Sequence, residues 1–477
     1  MAKAISQVVE RRIPAVRQST DWVLLGVSVA LVTVLAISVP HLVGREGWLT
    51  GEKFLYLALV GYLGASVLYA LSIALRRSSL AAGAVALARG GFFLQTCAVI
   101  VRWASSGHAP LSNIYEMVLI FSWGVVALHE VAEWKFELPF LGAITLPIAA
   151  LSLILMQVLP GEIRPLVPAL QSTWLQIHVT LAMLSYAGFT LSFAVALLYL
   201  LKDGVGTRAF LSWTAGLVTA VYAAIAASLV DGSMALTLPA WDPQTQEKVL
   251  LAPKQPLLVA IPDLAWPFVI ALALAAASLL LNLLATYSQA PSAAEAWEKW
   301  ARRFFAAALV GQGLSLTLLL IKVASGPYEA PPMGQRFDVH LAANPFLLAG
   351  IVTALFASLA WEVLRWKHQT ITTYLPQPET LDSLIYKTVA ISFPLLTLMI
   401  IAGAYWANRT WGSYWSWDPK EDWALITWLT YAAYIHMRLT RGWRGRRSAY
   451  FAIAGFAIVM FTFFGVTYLL PGLHSYS

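Results

Sequence analysis

The stretch from Leu384 to Arg447 decides the fold and reads "LIYKTVAISFPLLTLMIIAGAYWANRTWGSYWSWDPKEDWALITWLTYAAYIHMRLTRGWRGRR". It contains one apolar run at 388–406, a second at 423–440, and a basic run from Arg438 to Arg447. A helix needs roughly 20 apolar residues to cross a bilayer. The stretch therefore predicts two membrane-spanning helices, joined by the Trp-rich segment Trp411–Glu421, "WGSYWSWDPKE".

The same apolar pattern extends over the whole chain. Of its 477 residues, 59% are hydrophobic and 12% are charged, whereas soluble domains carry about 25% charged residues. Thirteen runs are long enough to span a bilayer: 22–40, 54–75, 84–103, 114–131, 138–158, 175–201, 208–230, 265–286, 305–325, 344–366, 388–406, 423–440 and 449–470. We predict an all-α, polytopic helical membrane protein with about 13 transmembrane helices.

The basic residues predict the orientation. If the N-terminus lies inside, the inner connections hold clusters such as Arg76 with Arg77 and the run 438–447, whereas the outer connections hold single residues such as Arg45. Basic residues gather on the cytoplasmic side of membrane proteins. An odd number of spans then places the C-terminus outside, together with the Trp-rich segment. The net charge of +7 follows from this topology and indicates no nucleic-acid partner.

Three parts can be distinguished along the chain. Residues 1–201 form an N-terminal part of six spans. Residues 202–380 resemble an inserted unit of four spans, with a long polar outer loop at 231–264. Residues 381–477 hold the Trp-rich segment. Because four is an even number, the inserted unit leaves the topology of its flanks unchanged.

Two of the eight histidines lie at the predicted depth of the Trp-rich segment. His178 is at the outer end of the sixth span, and His474 follows the last span. Two imidazoles beside a group of rings suit haem, whose iron takes axial histidines and whose ring favours apolar walls. Trp174 is four residues before His178, so both point to one helix face. The alternative is that these histidines are structural, interfacial residues.

Two further histidines are predicted near the inner membrane face. His436 is in the twelfth span and His129 in the fourth. A histidine inside a membrane is costly without a partner or ligand, so the two could ligate one haem across two helices. For His129, an interfacial ring beside Glu130 is the simpler interpretation.

The Trp-rich segment has the features of a rigid platform. Trp411 and Trp415 are four residues apart, and Pro419 and Glu421 suit the first turn of the next helix. A general aromatic belt at the membrane interface is the alternative. Two features argue against that belt: the rings are concentrated in one short segment, and charged residues follow at once.

These segments resemble the CcsA-type subunit of cytochrome c synthase, in the haem-handling superfamily that carries the Trp-rich WWD signature and serves System II cytochrome c biogenesis. The motifs "PLSNIYE", "WLQIHVTLAMLSYAGF" and "GLHSYS" also match, and the resemblance covers about 100–201 and 380–477. It implies a holocytochrome c synthase, or haem lyase. Such an enzyme presents haem b at the outer membrane face and joins it through thioethers to the CxxCH motif of apocytochrome c.

The resemblance also implies roles for particular residues. The Trp-rich segment would hold haem, His178 and His474 would ligate its iron outside, and His436 would ligate haem inside the membrane. The candidate catalytic residues are His178, His474, Trp411, Trp415, Trp417 and Asp418. The candidate haem-binding residues add Trp174, Gly412, Tyr414, His436 and, from its predicted depth, His129.

The implied partners are a CcsB-type membrane subunit, apocytochrome c and thiol-reducing proteins, in the bacterial cytoplasmic membrane, with the active site on the periplasmic face. The segment 202–380 departs from the family pattern. Three alternatives stay open: a non-catalytic haem delivery or export protein, a di-haem cytochrome linked to quinol, and a plain transporter. The first would use the same residues, whereas the second would want paired histidines within spans.

Overall fold

A computed structural model gives the structure of the chain, and every structural statement below concerns the residues that it describes. These are residues 51–75, 77–136, 141–156, 159, 161–163, 165–227, 236–244, 249–252, 255–330, 334–339, 345–470 and 472. The predicted first span, 22–40, and the candidate ligand His474 lie outside them.

The framework is helical, as predicted. Its α-helices are α1 Gly51–Leu75, α2 Ser78–Ser106, α3 Ile114–Phe136, α4 Gly142–Met156, α5 Thr173–Lys202, α6 Thr207–Ala227, α7 Ala265–Tyr287, α8 Pro291–Ala324, α9 Pro345–Tyr374, α10 Pro378–Trp411, α11 Pro419–Thr440, α12 Arg446–Met460 and α13 Val466–Leu469. A 3-10 turn, Pro168–Leu170, precedes α5, and a π-helical turn, Phe461–Gly465, joins α12 to α13.

Ten of the described helices are long and apolar enough to span a membrane, and each corresponds to one of the predicted spans. Two other predicted spans are helices that fall short of that standard. Helix α4 has 15 residues, and α11 begins with the charged residues Lys420, Glu421 and Asp422. The chain is therefore a multi-pass membrane protein.

The chain forms two compact units. The first unit comprises Met1–Met156, Pro160–Gly204 and Gln369–Ser477, and the second comprises Gln157–Leu159 and Val205–His368. The second unit thus holds α6, α7, α8 and most of α9. Helix α9 bends at Lys367, whose φ of −120° and ψ of 21° are not helical, immediately before the first unit resumes.

The second unit also contains strands that the sequence analysis did not predict. Strands β1 Leu236–Trp241, β2 Leu250–Ala252, β3 Gln255–Pro256, β4 Leu258–Ile261, β5 Tyr328–Ala330 and β6 Gln335–Val339 form antiparallel pairs. Four of them make a sheet in the order β4-β1-β6-β5. The predicted polar loop 231–264 therefore contains strands, because Leu236, Leu238 and Ala240 turn inward into the core of this unit.

Helix α5 lies in the interior of the first unit and packs against α3, α10 and α12. Its approach to α10 is very close at Gly188, where a Cβ atom would lie 1.9 Å from the Ser392 hydroxyl oxygen. Such small residues allow two membrane helices to approach each other. The close packing fixes α5 against α10, and these two helices position the candidate site.

Candidate functional site

A cavity of about 150 Å³ lies in the first unit beside the Trp-rich segment. Its walls come from the start of α3 and the connection before it, α5, α10, the Trp-rich segment, the beginning of α11 and the π-helical turn. Among the lining residues are His178, Tyr186, Trp406, Tyr414, Trp415 and Lys420. Most of the others are apolar, so the cavity offers a hydrophobic surface with a few polar groups.

His178 is held in a defined tautomer. Its Nδ1 atom lies 2.8 Å from the carbonyl oxygen of Met399 on α10. A carbonyl oxygen only accepts hydrogen bonds, so Nδ1 carries the proton, and Nε2 of the neutral ring keeps its lone pair. Histidines that bind metals commonly have one ring nitrogen fixed in this way. The arrangement therefore suits His178 to ligate iron through Nε2.

Gly403 makes the position of His178 possible. A Cβ atom at Gly403 would lie 2.6 Å from Nδ1 of His178 and 2.7 Å from its Cε1. Neither distance is sterically acceptable, so only glycine allows the imidazole to lie this close to α10. Met399 and Gly403 are one turn apart on that helix, and together they determine where the His178 imidazole packs against it.

Trp406 connects His178 to the Trp-rich segment. Its side chain is 2% exposed, and its Nε1 donates a hydrogen bond of 2.9 Å to the carbonyl oxygen of Ala169. The ring lies nearly parallel to that of His178, at 6.3 Å and 21°. It also meets Trp411 edge to face at 4.9 Å. The buried indole thus fixes the relation between the histidine and the end of α10.

The Trp-rich segment has an ordered backbone with two left-handed residues. Gly412 ends α10 with φ of 81°, and Trp417 has φ of 59°. The hydroxyl of Ser413 donates to the carbonyl oxygen of Trp415 at 2.7 Å. A left-handed backbone is unfavourable for a bulky residue such as tryptophan. Trp417 is nevertheless 73% exposed and Tyr414 58%, so these rings face outward.

Asp418 begins α11 with a capping box. Its Oδ1 accepts a hydrogen bond from the backbone N–H of Lys420 at 3.0 Å. The Glu421 carboxylate accepts from the backbone N–H groups of Asp418 at 3.3 Å and Ser416 at 2.7 Å. This reciprocal pattern satisfies donors that a helix start leaves unpaired. The structural role observed for Asp418 is therefore that of a helix cap.

Lys420 supplies a positive charge at the wall of the cavity. It precedes the apolar part of α11, and burial lowers the pKa of its ammonium group, although Asp418 opposes this change. A second cation near the Trp-rich segment, Arg409, is exposed, and its guanidinium lies 5.4 Å from the centre of the Tyr405 ring. Of the two, only Lys420 lines the cavity.

Comparison with known proteins decides the family. The profile described as "Cytochrome C assembly protein" matches residues 111–474. The chain belongs to this family. A protein of Picosynechococcus sp. named cytochrome c biogenesis protein CcsA is 34% identical over 379 residues, which cover 79% of this chain and 82% of that one. The protein of the same name from Synechocystis sp. is 30% identical, and the match covers 91% and 98% of the two chains.

A solved structure is also similar. The protein named "Cytochrome c Heme Lyase CcmF" matches 90% of this chain and 74% of its own, with 15% identity and a TM-score of 0.30. A TM-score this low supports no conclusion. The family match and the CcsA relatives alone confirm the predicted resemblance, and they place this cytochrome c assembly protein in cytochrome c biogenesis.

The structure of this cytochrome c assembly protein brings some of the candidate residues together. His178, Tyr414 and Trp415 line one cavity. Trp411 reaches His178 through Trp406. Trp174 contacts Tyr405 of α10 at 4.4 Å between ring centres, so it faces the same helix as His178, as its spacing predicts.

The two histidines predicted at the inner face have different surroundings. His129 is fully buried, beside Tyr69 of α1 and Thr145 of α4. His436 is exposed on α11. No hydrogen bond or ring contact joins the two among the described residues. The structure therefore does not bring His129 and His436 together, and a shared haem stays a prediction.

Several residues of the cavity were missed in the sequence. They are Met399, Gly403, Trp406 and the π-helical residues Thr462 and Phe463. π-Helical turns within α-helices are frequent at functional sites. Gly403 and Trp406 had a signal, because they lie one helical turn apart, and a small residue in an apolar span often marks a close helix contact.

Proposed function

We propose that this protein presents haem b at the outer membrane face and catalyses its thioether attachment to the CxxCH motif of apocytochrome c. One observation carries the proposal: His178, with Nδ1 fixed on the Met399 carbonyl, lines an apolar cavity together with rings of the Trp-rich segment. An axial histidine and an apolar surrounding are common features of haem sites.

The size of the cavity favours an open haem site. Pockets for small molecules usually have about 300–1,000 Å³, whereas this cavity has about 150 Å³. It can therefore enclose only part of the macrocycle. The remainder would lie against outward-facing rings such as Tyr414 and Trp417, which are 58% and 73% exposed. An edge left open in this way would be accessible to a second protein.

His474 is the proposed second axial ligand of the haem iron. It lies outside the described residues, but Gly472 is described and close to the Trp-rich segment. A Cβ atom at Gly472 would be 2.2 Å from Oδ2 of Asp418. In the sequence, His474 follows Gly472 by two residues. The contact between Gly472 and Asp418, together with the role implied by the family, supports a pair of ligands formed by His178 and His474.

The reaction needs positioning more than acid or base groups. Each cysteine S–H of the substrate adds across a haem vinyl C=C bond, so that a C–S bond forms, the hydrogen goes to the other vinyl carbon, and no net electrons are exchanged. Both thiols come from the apocytochrome, since this chain has a single, buried cysteine, Cys97. Correct alignment alone can contribute about 7–11 kcal/mol in model reactions.

We further propose a two-subunit complex with a CcsB-type membrane protein in the bacterial cytoplasmic membrane, active on the periplasmic face. His436 is exposed on α11, so a partner subunit could supply the other ligand of a haem bound there. Thiol-reducing proteins would keep the CxxCH cysteines reduced. The CcsA-named relatives support this assignment through their role in cytochrome c biogenesis.

The test is a maturation assay in cells that lack their own pathway. The full chain is expressed with a CcsB-type partner and a secreted CxxCH reporter, and covalent haem on the reporter is measured. We expect labelling by the wild type and loss of labelling in His178→Ala and His474→Ala. His108→Ala is the matched control, because His108 lies in the connection before α3 and not in the cavity wall.

The alternative functions predict different results. If the purified wild type binds haem but the reporter stays unlabelled, the chain is a haem delivery or export protein. If quinol reduces the bound haem and the reporter stays unlabelled, the chain is a membrane cytochrome. Labelling that survives both histidine substitutions would contradict the proposed axial ligands while leaving the synthase function in place.

A further inference from the structure

A second group of polar side chains lies within helix α3, apart from the haem cavity. His129, Glu130 and Glu133 are all buried, at 0%, 1% and 4% exposure. One ligand atom from each lies within 4.8 Å of the others. The proposed function uses none of these contacts. Ionisable groups buried in a membrane helix are costly and commonly functional.

His129 directs an unprotonated nitrogen into the group. Its Nδ1 lies 3.1 Å from the hydroxyl oxygen of Thr145. That hydroxyl donates its one hydrogen to the carbonyl oxygen of Leu141 at 2.9 Å, so it can only accept from Nδ1. The lone pair is therefore on Nε2, which has no hydrogen-bond partner and lies 3.8 Å from Oε2 of Glu133. Two acceptors that face each other require a cation or a proton between them.

The two carboxylates are only partly compensated. Oε2 of Glu130 accepts from Arg89 at 3.3 Å, whereas its Oε1 has no hydrogen-bond partner. Glu133 accepts from the Tyr69 hydroxyl, 2.8 Å and 2.9 Å from its two oxygens. These contacts supply one positive charge for two carboxylates. An uncompensated buried charge is strongly unfavourable, and a cation within the group would remove that cost.

We propose that His129, Glu130 and Glu133 bind one divalent transition-metal ion of the zinc type. Bonds from zinc to histidine nitrogen and carboxylate oxygen are about 2.0–2.2 Å, and the coordination is usually tetrahedral. Nε2 and Oε2 are 3.8 Å apart and all three ligand atoms lie within 4.8 Å of one another, so tetrahedral coordination, with ligands roughly 3.4 Å apart, requires side-chain shifts of about 1 Å. An imidazole ligand favours zinc over magnesium or calcium, which prefer oxygen.

The surrounding residues form the support that such a site requires. Thr145 fixes the tautomer of His129, Tyr69 binds Glu133, and Arg89 binds Glu130. Partners of this kind orient metal ligands, and their loss typically weakens metal binding by about 10–100-fold. They come from α4, α1 and α2, whereas the ligands come from α3. A bound ion would therefore stabilise the packing of these four helices.

The experiment measures zinc binding by the full chain, purified in detergent and stripped with chelator. We expect one Zn²⁺ per chain, undisturbed by a large excess of Mg²⁺, and a higher melting temperature with Zn²⁺. His129→Ala and Glu133→Gln should lose both effects. Thr145→Val should weaken binding by at least about tenfold while keeping the fold, because valine has a similar shape and removes only the hydroxyl that contacts His129 and the Leu141 carbonyl.

His108→Ala is the matched control and should bind Zn²⁺ like the wild type. Glu133→Gln keeps its shape and can still accept from Tyr69, so it separates metal loss from misfolding; size-exclusion profiles verify this. A wild-type protein that binds no Zn²⁺ would overturn the proposal and leave a proton as the occupant. Stoichiometric binding that persists in His129→Ala or Glu133→Gln would overturn it too.

Discussion

At the scale of single residues, the position of His178 depends on Gly403. The methyl group of Gly403→Ala would have to occupy space 2.6 Å from Nδ1 of His178, so the imidazole must move away from the Met399 carbonyl. Misplacing a reacting group by about 1 Å can reduce a rate by about 100-fold. We expect reporter labelling to fall by about that factor, with a changed haem absorption spectrum.

Gly90→Ala is the control for that substitution. Gly90 also lies in a helix of the first unit, but a Cβ atom there meets nothing within 4 Å. Alanine should be neutral or slightly stabilising at this open position. Equal labelling by Gly403→Ala and the wild type would show that haem attachment does not require the close packing of His178 against α10.

Lys420 should bind a haem propionate through its charge. Lys420→Gln should weaken haem binding by about tenfold, since a hydrogen bond to a charged group contributes about 1.5–3 kcal/mol. Burial lowers the pKa of Lys420, and the ammonium charge is lost as pH rises through that value. As pH rises, haem affinity in the wild type should therefore begin to fall at a lower pH than it would if the lysine were exposed.

A haem with esterified propionates distinguishes this role from a structural one. Wild type and Lys420→Gln should bind the ester equally, because it has no carboxylate for the lysine to contact. Lys387→Gln removes an equal charge from the N-terminal half of α10, whereas the C-terminal half of that helix lines the cavity. This variant should bind ordinary haem normally. If Lys420→Gln weakens binding of the ester as much as it weakens binding of haem, the lysine does not recognise propionates.

The sequence predicted those site residues whose amino-acid type itself suggests haem binding. His178 and the rings of the Trp-rich segment are conspicuous in the amino-acid pattern itself, and the fold places His178, Tyr414 and Trp415 around one cavity. Gly403 and Met399 act through the absence of a side chain and through a backbone carbonyl. Such roles arise only when α5 and α10 pack together, so they could not be read from either helix alone.

At the scale of elements, the start of α11 depends on Asp418 as a cap. Asp418→Ala should lower the free energy of unfolding by about 1 kcal/mol, because the backbone N–H of Lys420 loses its acceptor. Asp418→Asn should be nearly neutral, since asparagine caps helices equally well. Melting temperatures of the haem-free protein in detergent measure both, and reporter labelling should follow the same order.

The pair of variants also tests the candidate catalytic role of Asp418. A role limited to capping predicts that Asn supports labelling and Ala reduces it. Should Asp418→Asn melt like the wild type but fail to label the reporter, the negative charge itself would take part in haem attachment or in holding the segment around Gly472.

Apolar length predicted the helices well, because each span must satisfy its backbone hydrogen bonds within itself. The same reasoning missed the strands at 236–261, which lie in a Pro-rich polar loop; β1 pairs with β4 within this segment and with β6 at 335–339. It also missed the π-helical turn Phe461–Gly465. The pairing of β1 with β6 depends on a distant part of the chain, which a local pattern does not contain.

At the scale of the whole molecule, the second unit should be dispensable for haem binding. All residues that line the cavity belong to the first unit. The chain leaves that unit after Gly204 and returns at Gln369, and the two ends are close, since the Lys202 ammonium donates to the carbonyl oxygen of Thr372 at 2.7 Å. A short Gly/Ser linker can therefore replace residues 205–368.

We expect this shortened chain to insert with unchanged topology, because an even number of spans is removed, and to bind haem like the full chain. His178→Ala in the shortened chain should abolish outer haem binding, which shows that the same site is measured. Reporter labelling then measures the contribution of the second unit. Normal labelling would give this unit a role outside the reaction. Haem binding without labelling would give it a role in recognition of the apocytochrome or the partner subunit. A shortened chain that is stably inserted but binds no haem would contradict the assignment of the site to the first unit.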